Sequence, residues 1–244
     1  MYQEYLPDIR LQHLIETYWV ADGVIDVPVT QGIMPDGCVD IVFDFADNKT
    51  GFPKLVGTMT SLLEISYQPG KVQMMGIRFA PGGITAFTRI PINEITNRNI
   101  ELPISETLFD AAFHESLPEL NRIPERLAYI NRYFIERLHK LYSLNEQIGH
   151  AVSLIRSHNG RFTIKQLAKE SCLCERHLER KFKLVIGISP KVFSNVIRFQ
   201  FARRYLKSHE KESLSSAAIV CGYHDLSHMN KEFQVFGSIS PSEL

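Results

Sequence analysis

Cys172, Cys174 and His177 place two thiols and an imidazole close together in the chain, and thiolate sulfur and imidazole nitrogen are common zinc ligands. A tetrahedral site of this type needs a fourth ligand, and no further cysteine or histidine lies beside them in sequence. Both cysteines also suit a helix boundary, Cys172 in a turn and Cys174 at the cap of the next helix, so structural cysteines and no metal are expected. Arg176, His177, Glu179, Arg180 and Lys183 offer a different chemistry. Guanidinium forks match guanine edges, carboxylates accept from cytosine and ammonium groups pair with phosphate, so a helix face with this set suits the major groove of DNA. Leu226, Ser227, His228, Asn230 and Lys231 form a second outward set. A merely solvated face is the plainer reading of either set; their duplication argues against it.

The sequence assembles no catalytic centre. The nine histidines form no visible pair of nucleophile and base, and Cys38 begins a Gly-Cys-Val strand in which burial keeps a thiol inert. No catalytic residue and no cofactor are expected. Trp19, Asp36 and Arg78 are candidates for binding a small molecule, each with a structural alternative. A single tryptophan suits a core, and Pro35-Asp36-Gly37 is a turn sequence in its own right. Arg78, in an apolar strand, needs an anionic or carbonyl partner that a side chain supplies as readily as a ligand.

The elements that must hold these residues show in the hydrophobic period. Segments 16–23, 37–48 and 71–79 are apolar-rich or alternating and bounded by Gly, Asp or Asn, as strands are. Val39, Ile41, Phe43 and Phe45 alternate with Asp40, Val42, Asp44 and Ala46 ahead of an Asp47-Asn48 turn. Between Pro81 and Leu102 turn residues crowd, and loop with short helices is expected. After Pro124, Leu127, Ile130, Phe134, Leu138 and Leu141 step by three and four, one helical face buried against either the β-rich part or a second subunit.

The stretch HLERKFKLVIGISP (177–190) recurs as HMNKEFQVFGSISP (228–241), an offset of 228 − 177 = 51. In the first copy Thr163 and Gln166 form a capping box, and Ile164, Leu167, Ala168, Leu178 and Phe182 face inward. In the second, Ser213 caps, Gly222 breaks the helix and Asp225 caps again, with Leu214, Ala217, Ala218, Met229 and Phe233 inward. The second turn is one residue longer, and the closing glycine, 187 against 237, departs from the offset. Each copy ends in Ser-Pro, a cap followed by proline at the first helical position. Phe193, Val196, Ile197, Phe201 and Leu206 then predict a connecting helix of about 18 residues, ~27 Å long, which suits reading helices entering major grooves ~34 Å apart.

Composition agrees with this division. The net charge of zero is a cancellation: residues 1–145 hold 12 Lys and Arg against 18 Asp and Glu, and residues 146–244 hold 15 against 9. A basic C-terminal part points to a polyanion. With 44% hydrophobic and 22% charged residues over 244 positions, a soluble globular chain of two domains is expected. No apolar run approaches the ~18 residues of a membrane span, and the N-terminus lacks a secretion pattern. Four cysteines are too few for a disulfide framework in a chain of this size. A cytoplasmic protein with reduced thiols and no membrane partner follows as an expectation.

Residues 151–244, through LAKESCLCERHLERKF with GISP and AAIVCGYHDLSHMNKEF with SISP, resemble the DNA-binding domain of AraC/XylS-type transcription regulators. That domain is two helix-turn-helix units bridged by a long helix. The resemblance implies a sequence-specific regulator with double-stranded DNA and RNA polymerase as partners. Where the family usually has a turn glycine and a capping serine, this chain has Cys172 and Cys174; where it has an aromatic and an arginine, Met229 and Lys231. Lysine lacks the bidentate fork, so sequence choice is expected to fall to Arg176, Glu179 and Arg180. HLIETYWV, MPDGCVDIVFDF, LVGTM and GIRFAPGG resemble the N-terminal region of a subgroup of these regulators, which implies a ligand-sensing or dimerising scaffold.

The expected architecture is α+β and multidomain. A β-rich domain with helices, cupin-like or a β-sandwich, spans 1–102. A helical connector spans 103–144, and an all-α domain of two helix-turn-helix units joined by a long helix spans 145–244. A small-molecule effector and a second copy of the chain are further expected partners. Two rivals remain: a DNA-targeted enzyme or repair protein acting through the N-terminal domain, and a protein-interaction module whose helix-turn-helix units have lost DNA affinity.

Overall fold

The computed structural model describes residues 1–46, 53–102 and 108–244; the expected Asp47-Asn48 turn lies outside them. Eight strands come first among the described residues: β1 (Tyr2–Tyr5), β2 (Ile15–Ile25), β3 (Val29–Ile33), β4 (Val39–Asp44), β5 (Lys54–Val56), β6 (Leu63–Tyr67), β7 (Gly70–Phe79) and β8 (Asn99–Glu101). Six form an antiparallel sheet in the order β1-β2-β7-β4-β5-β8, and β3 pairs with β6 in a separate ribbon. The alternation in β4 buries Val39, Ile41 and Phe43 and turns Asp40 and Val42, each mostly covered, to the other face. The three segments that read as strands became β2, β4 and β7, the centre of the sheet. The other five strands are short, or exposed along most of their length, and carry too little hydrophobic period to be read. Between Pro81 and Leu102 the chain makes two 3-10 turns, Gly83–Ala86 and Ile92–Glu94, and then β8.

Helices α1 (Ala111–Glu119) and α2 (Ile123–Arg137) complete the core of this sheet. Phe109 and Phe113 pack on Phe43 with ring centroids 5.6 and 6.0 Å away, and Phe134 meets Phe79 edge-on at 5.9 Å. The α2 stripe thus seats on the sheet, with Ile130 and Phe134 fully buried and Leu127, Leu138 and Leu141 packed partly buried beside them. Arg126 is buried there too. Its Nε donates to the Leu120 carbonyl at 2.7 Å, and its guanidinium lies 3.6 Å from the Phe45 ring centroid, so a carbonyl and an aromatic face receive the buried cation.

The rest of the chain is helical: α3 (Glu146–Ser157), α4 (Ile164–Glu170), α5 (Glu175–Ile186), α6 (Pro190–Ser208), α7 (Leu214–Val220) and α8 (Leu226–Gly237). Two cores flank α6. Phe193 and Ile197 face Ile148, Leu167, Leu178 and Phe182 in one; Val196, Phe199, Ala202 and Leu206 face Ala218, Met229 and Phe233 in the other. A helix buried from two directions has apolar residues around its circumference, so no single stripe predicts its inner side. Phe199 is fully buried although the spacing did not mark it, and Phe201, expected inside, is half-buried. Ser189 Oγ accepts from Val192 N at 3.2 Å and Pro190 takes the first turn, as expected. The 19 residues of α6 make a spine ~28 Å long.

Candidate nucleic-acid interface

The first helix-turn-helix is α4 and α5. Thr163 Oγ1 accepts from Gln166 N and Gln166 Oε1 from Thr163 N, each at 3.2 Å, closing the capping box. The turn places Cys172 at φ 54°, the left-handed region that favours glycine. Cys174 then occupies the N-cap of α5 without a side-chain hydrogen bond. Both cysteines are exposed, and among the described residues no group of three or more His, Cys, Asp or Glu is placed to hold a metal. With Leu178 and Phe182 buried beneath it, α5 turns Arg176, His177, Glu179, Arg180 and Lys183 to solvent. Glu179 and Lys183 pair at 3.2 Å one turn apart.

The second unit is α7 and α8. Gly222 takes the left-handed turn at φ 85°, and Asp225 Oδ1 caps α8 by accepting from His228 N at 2.7 Å. The bounds of α5 and α8 differ by 51 at both ends. So do the left-handed residues that close them, Gly187 at φ 95° and Ser238 at φ 52°. The backbone thus keeps the offset that the glycines break: Gly237 still belongs to the helix, and Ser238 adopts the capping conformation. Ser227, Asn230 and Lys231 are exposed, whereas Leu226 and His228 are half-buried and lean toward the core. His228 Nε2 lies 3.7 Å from Glu232, and its ring meets Tyr223 edge-on at 5.3 Å.

Beneath α8 is a buried ion pair that the sequence reading did not single out. Arg198 Nη2 bonds Glu232 Oε1, Arg198 Nε donates to Oε2 at 3.3 Å, and Asn195 Oδ1 accepts a further bond at 3.1 Å. The guanidinium also lies 4.9 Å from the Tyr223 ring centroid. The available signals were an arginine amid the apolar residues of α6 and a glutamate beside Phe233.

Trp19, Asp36 and Arg78 converge in the β-rich part on Asp40, an acid the sequence reading had placed only in an alternating strand. Arg78 and Asp40 are cross-strand partners on β7 and β4, with Nε to Oδ1 at 3.2 Å. Trp19 Nε1 donates to the same oxygen at 3.2 Å, and Asp36 Oδ2 lies 3.4 Å from Arg78 Nε. Side chains therefore supply the anionic partners that Arg78 requires. Asp36 also makes the turn expected of it, Oδ1 accepting from Cys38 N at 2.9 Å. The Trp19 ring lies across Gly76, where a Cβ would stand 2.0 Å from it. Burial pushes the Asp40 carboxyl up to about 6, against the pull of Arg78. Burial also raises the Cys38 thiol well above its usual range, with Asp36 and Glu16 adding to the effect. A cleft of about 190 Å³ lies beside Arg78, lined by Glu4, Tyr5, Leu6, Glu16 and Thr17. Glu16 at its edge pairs with Arg156 of α3 at 2.8 Å.

Fold and site together define a doubled helix-turn-helix on one spine, joined to a β-rich part. The chain matches two family profiles, a helix-turn-helix domain over residues 167–244 and a domain of unknown function (DUF6597) over residues 3–101. The lactose operon transcription activator of Staphylococcus xylosus is 32% identical over 114 residues, which cover 44% of this chain and 40% of that relative. Among solved structures, ToxT of Vibrio cholerae aligns with 93% of this chain and 96% of its own at 11% identity and a TM-score of 0.49. A probable AraC family regulator of Rhodopseudomonas palustris aligns with 41% of this chain and 94% of its own at 24% identity and a TM-score of 0.37. Residues 167–244 thus match a helix-turn-helix family, and the aligned part spans less than half the length of the Staphylococcus relative.

Proposed function

We propose that this chain is a sequence-specific DNA-binding transcription regulator whose β-rich part controls how the helical domain meets DNA. One observation carries the reading: two capped helix-turn-helix units, with reading helices whose bounds share one offset, stand on a single 19-residue spine. Each reading helix buries an apolar side and turns polar and basic residues outward. The direct contacts assigned to DNA are Arg176, His177, Glu179, Arg180 and Lys183 from α5, and Ser227, Asn230 and Lys231 from α8. Leu226 and His228, both partly exposed, belong to the same proposed set and also pack against the base of α8. Selection of duplexes from a randomised pool by the full chain tests the reading. The expected result is a common motif with two half-sites and binding that weakens steeply as salt rises. Binding without preference, or none, favours an interaction module.

Control of transcription, with RNA polymerase as a further partner, accords with the family type and with the Staphylococcus relative. A cytoplasmic location is part of the same proposal, since the DNA partner would be met there. Among the described residues no helix is long and apolar enough to cross a membrane. Regulation is assigned to the β-rich part, through a small effector or a second copy of the chain, with the cleft beside Arg78 as the place to seek the effector. Catalysis has little to draw on there, because a buried Cys38 with a raised pKa is a poor nucleophile. An alkylating probe is expected to modify Cys172 and Cys174 and to spare Cys38. Rapid, stoichiometric labelling of Cys38 alone would turn the reading toward an enzyme.

A further inference from the structure

We propose that Thr58 and Thr96, both in the β-rich part, are positioning residues for the first DNA-reading helix; the inference rests on the DNA-binding reading above. The last carbonyls of an α-helix have no partner within the helix. At the end of α5, Gly187 N bonds the Lys183 carbonyl in the usual left-handed closure. The carbonyls of Ile186, the last residue of α5, and of Gly187, which closes it, are met from the other part of the molecule: Thr58 Oγ1 donates to Ile186 O at 2.6 Å, and Thr96 Oγ1 to Gly187 O at 2.7 Å. Thr58 is fully buried, so no water competes for its bond.

Both threonines stand on one rigid platform. Asn97 N donates to Thr58 O at 3.1 Å, Gly57 N donates to Arg98 O at 3.0 Å, and a Cβ on Gly57 would lie 1.9 Å from Ile95 O. Gly82 and Ile92 complete the socket. A Cβ on Gly82 would touch Val185 and Ile186 at 3.0 and 3.2 Å, and one on Gly187 would lie 3.1 Å from Ile92.

The two reading helices are held differently. The β-rich part meets α8 through Met34, an apolar contact with little directional preference, and the directional bonds to α8 come from Arg198 of the spine α6 to Glu232, within the helical domain. Directional bonds from the platform instead set the tilt and rotation of α5. A displacement of the platform therefore changes how α5 enters its groove while α8 keeps its place on the spine.

The test compares the full-length wild type with Thr58→Val, Thr96→Val and the double variant, and with Thr58→Ser and Thr96→Ser, which keep the hydroxyl. Arg180→Ala identifies the half-site read by α5 in footprints on a duplex the wild type selects. The expected outcome for the double variant is roughly tenfold weaker binding, with protection lost at the α5 half-site and kept at the other. Amides in the last turn of α5 should exchange hydrogen faster while those of α8 do not change, and the serine variants should behave as wild type. If the double variant fails to fold, the single valine variants decide the matter by the same half-site comparison. An unchanged footprint, or equal weakening at both half-sites, overturns the inference and leaves the DNA reading intact. A wild type that selects no duplex removes both.

Discussion

Arg180 is exposed on α5, where a guanidinium fork can reach a guanine edge. Replacing it with Ala should remove ~1–3 kcal/mol of discrimination at one base position, measured as the ratio of affinities for the selected site and its single-base variants. The two cysteines of the first turn lead to a stability prediction. Cys172 holds a conformation that glycine adopts freely, and Cys174 leaves the cap of α5 without a side-chain bond. Cys172→Gly and Cys174→Ser should each stabilise the protein by about 1 kcal/mol, seen as a higher melting temperature. Asp40 makes stability depend on pH. Its folded pKa of about 6 lies above the ordinary value of 3.8, so the folded state binds its proton more tightly. The stability this group contributes is complete below about pH 4 and is lost as pH rises through 6. The melting temperature of the wild type relative to Asp40→Asn should therefore fall as pH rises across that range.

Helix α6 serves two cores, and its ion pair to α8 is a buried charged pair beside the second of them. Arg198 and Glu232 are each about a tenth exposed, with side-chain values of 11% and 9%. Removing one partner leaves a buried charge uncompensated, so Glu232→Leu alone should destabilise by about 3 kcal/mol in a denaturant titration. The double change Arg198→Met with Glu232→Leu should recover most of that loss, because two apolar side chains of similar volume leave no charge behind. If the pair also fixes the direction of α8, the double variant will be stable yet weaker at the second half-site.

Across the whole molecule the charge is divided, with the basic excess in the part that carries both reading helices. Binding to DNA should therefore release counterions, and affinity should fall by ~10³-fold or more as salt rises from roughly 50 to 200 mM if six or more phosphates are contacted. Lys231→Ala should reduce that salt dependence without relaxing sequence choice, since an ammonium contacts phosphate as a point charge. Gln200 Nε2 bonding Pro35 O at 2.6 Å, together with Glu16 and Arg156, joins the β-rich part to the helical one at points away from the α5 socket. The two parts thus meet over several sites.

The helical domain could be read from sequence because its information is local. Caps at Thr163, Ser189, Ser213 and Asp225 announce themselves by residue type, and inward residues such as Leu178, Phe182, Met229 and Phe233 repeat at helical spacing. In the sheet, the same held for the central strands, where alternation is long enough to detect. The partners of Arg78 and Arg198, the seating of α2 and the grip of Thr58 and Thr96 on α5 were settled by tertiary structure alone. Each joins residues distant in the chain, and a buried charge or an open helix end declares that it needs a partner without specifying which residue the folded chain will bring to it.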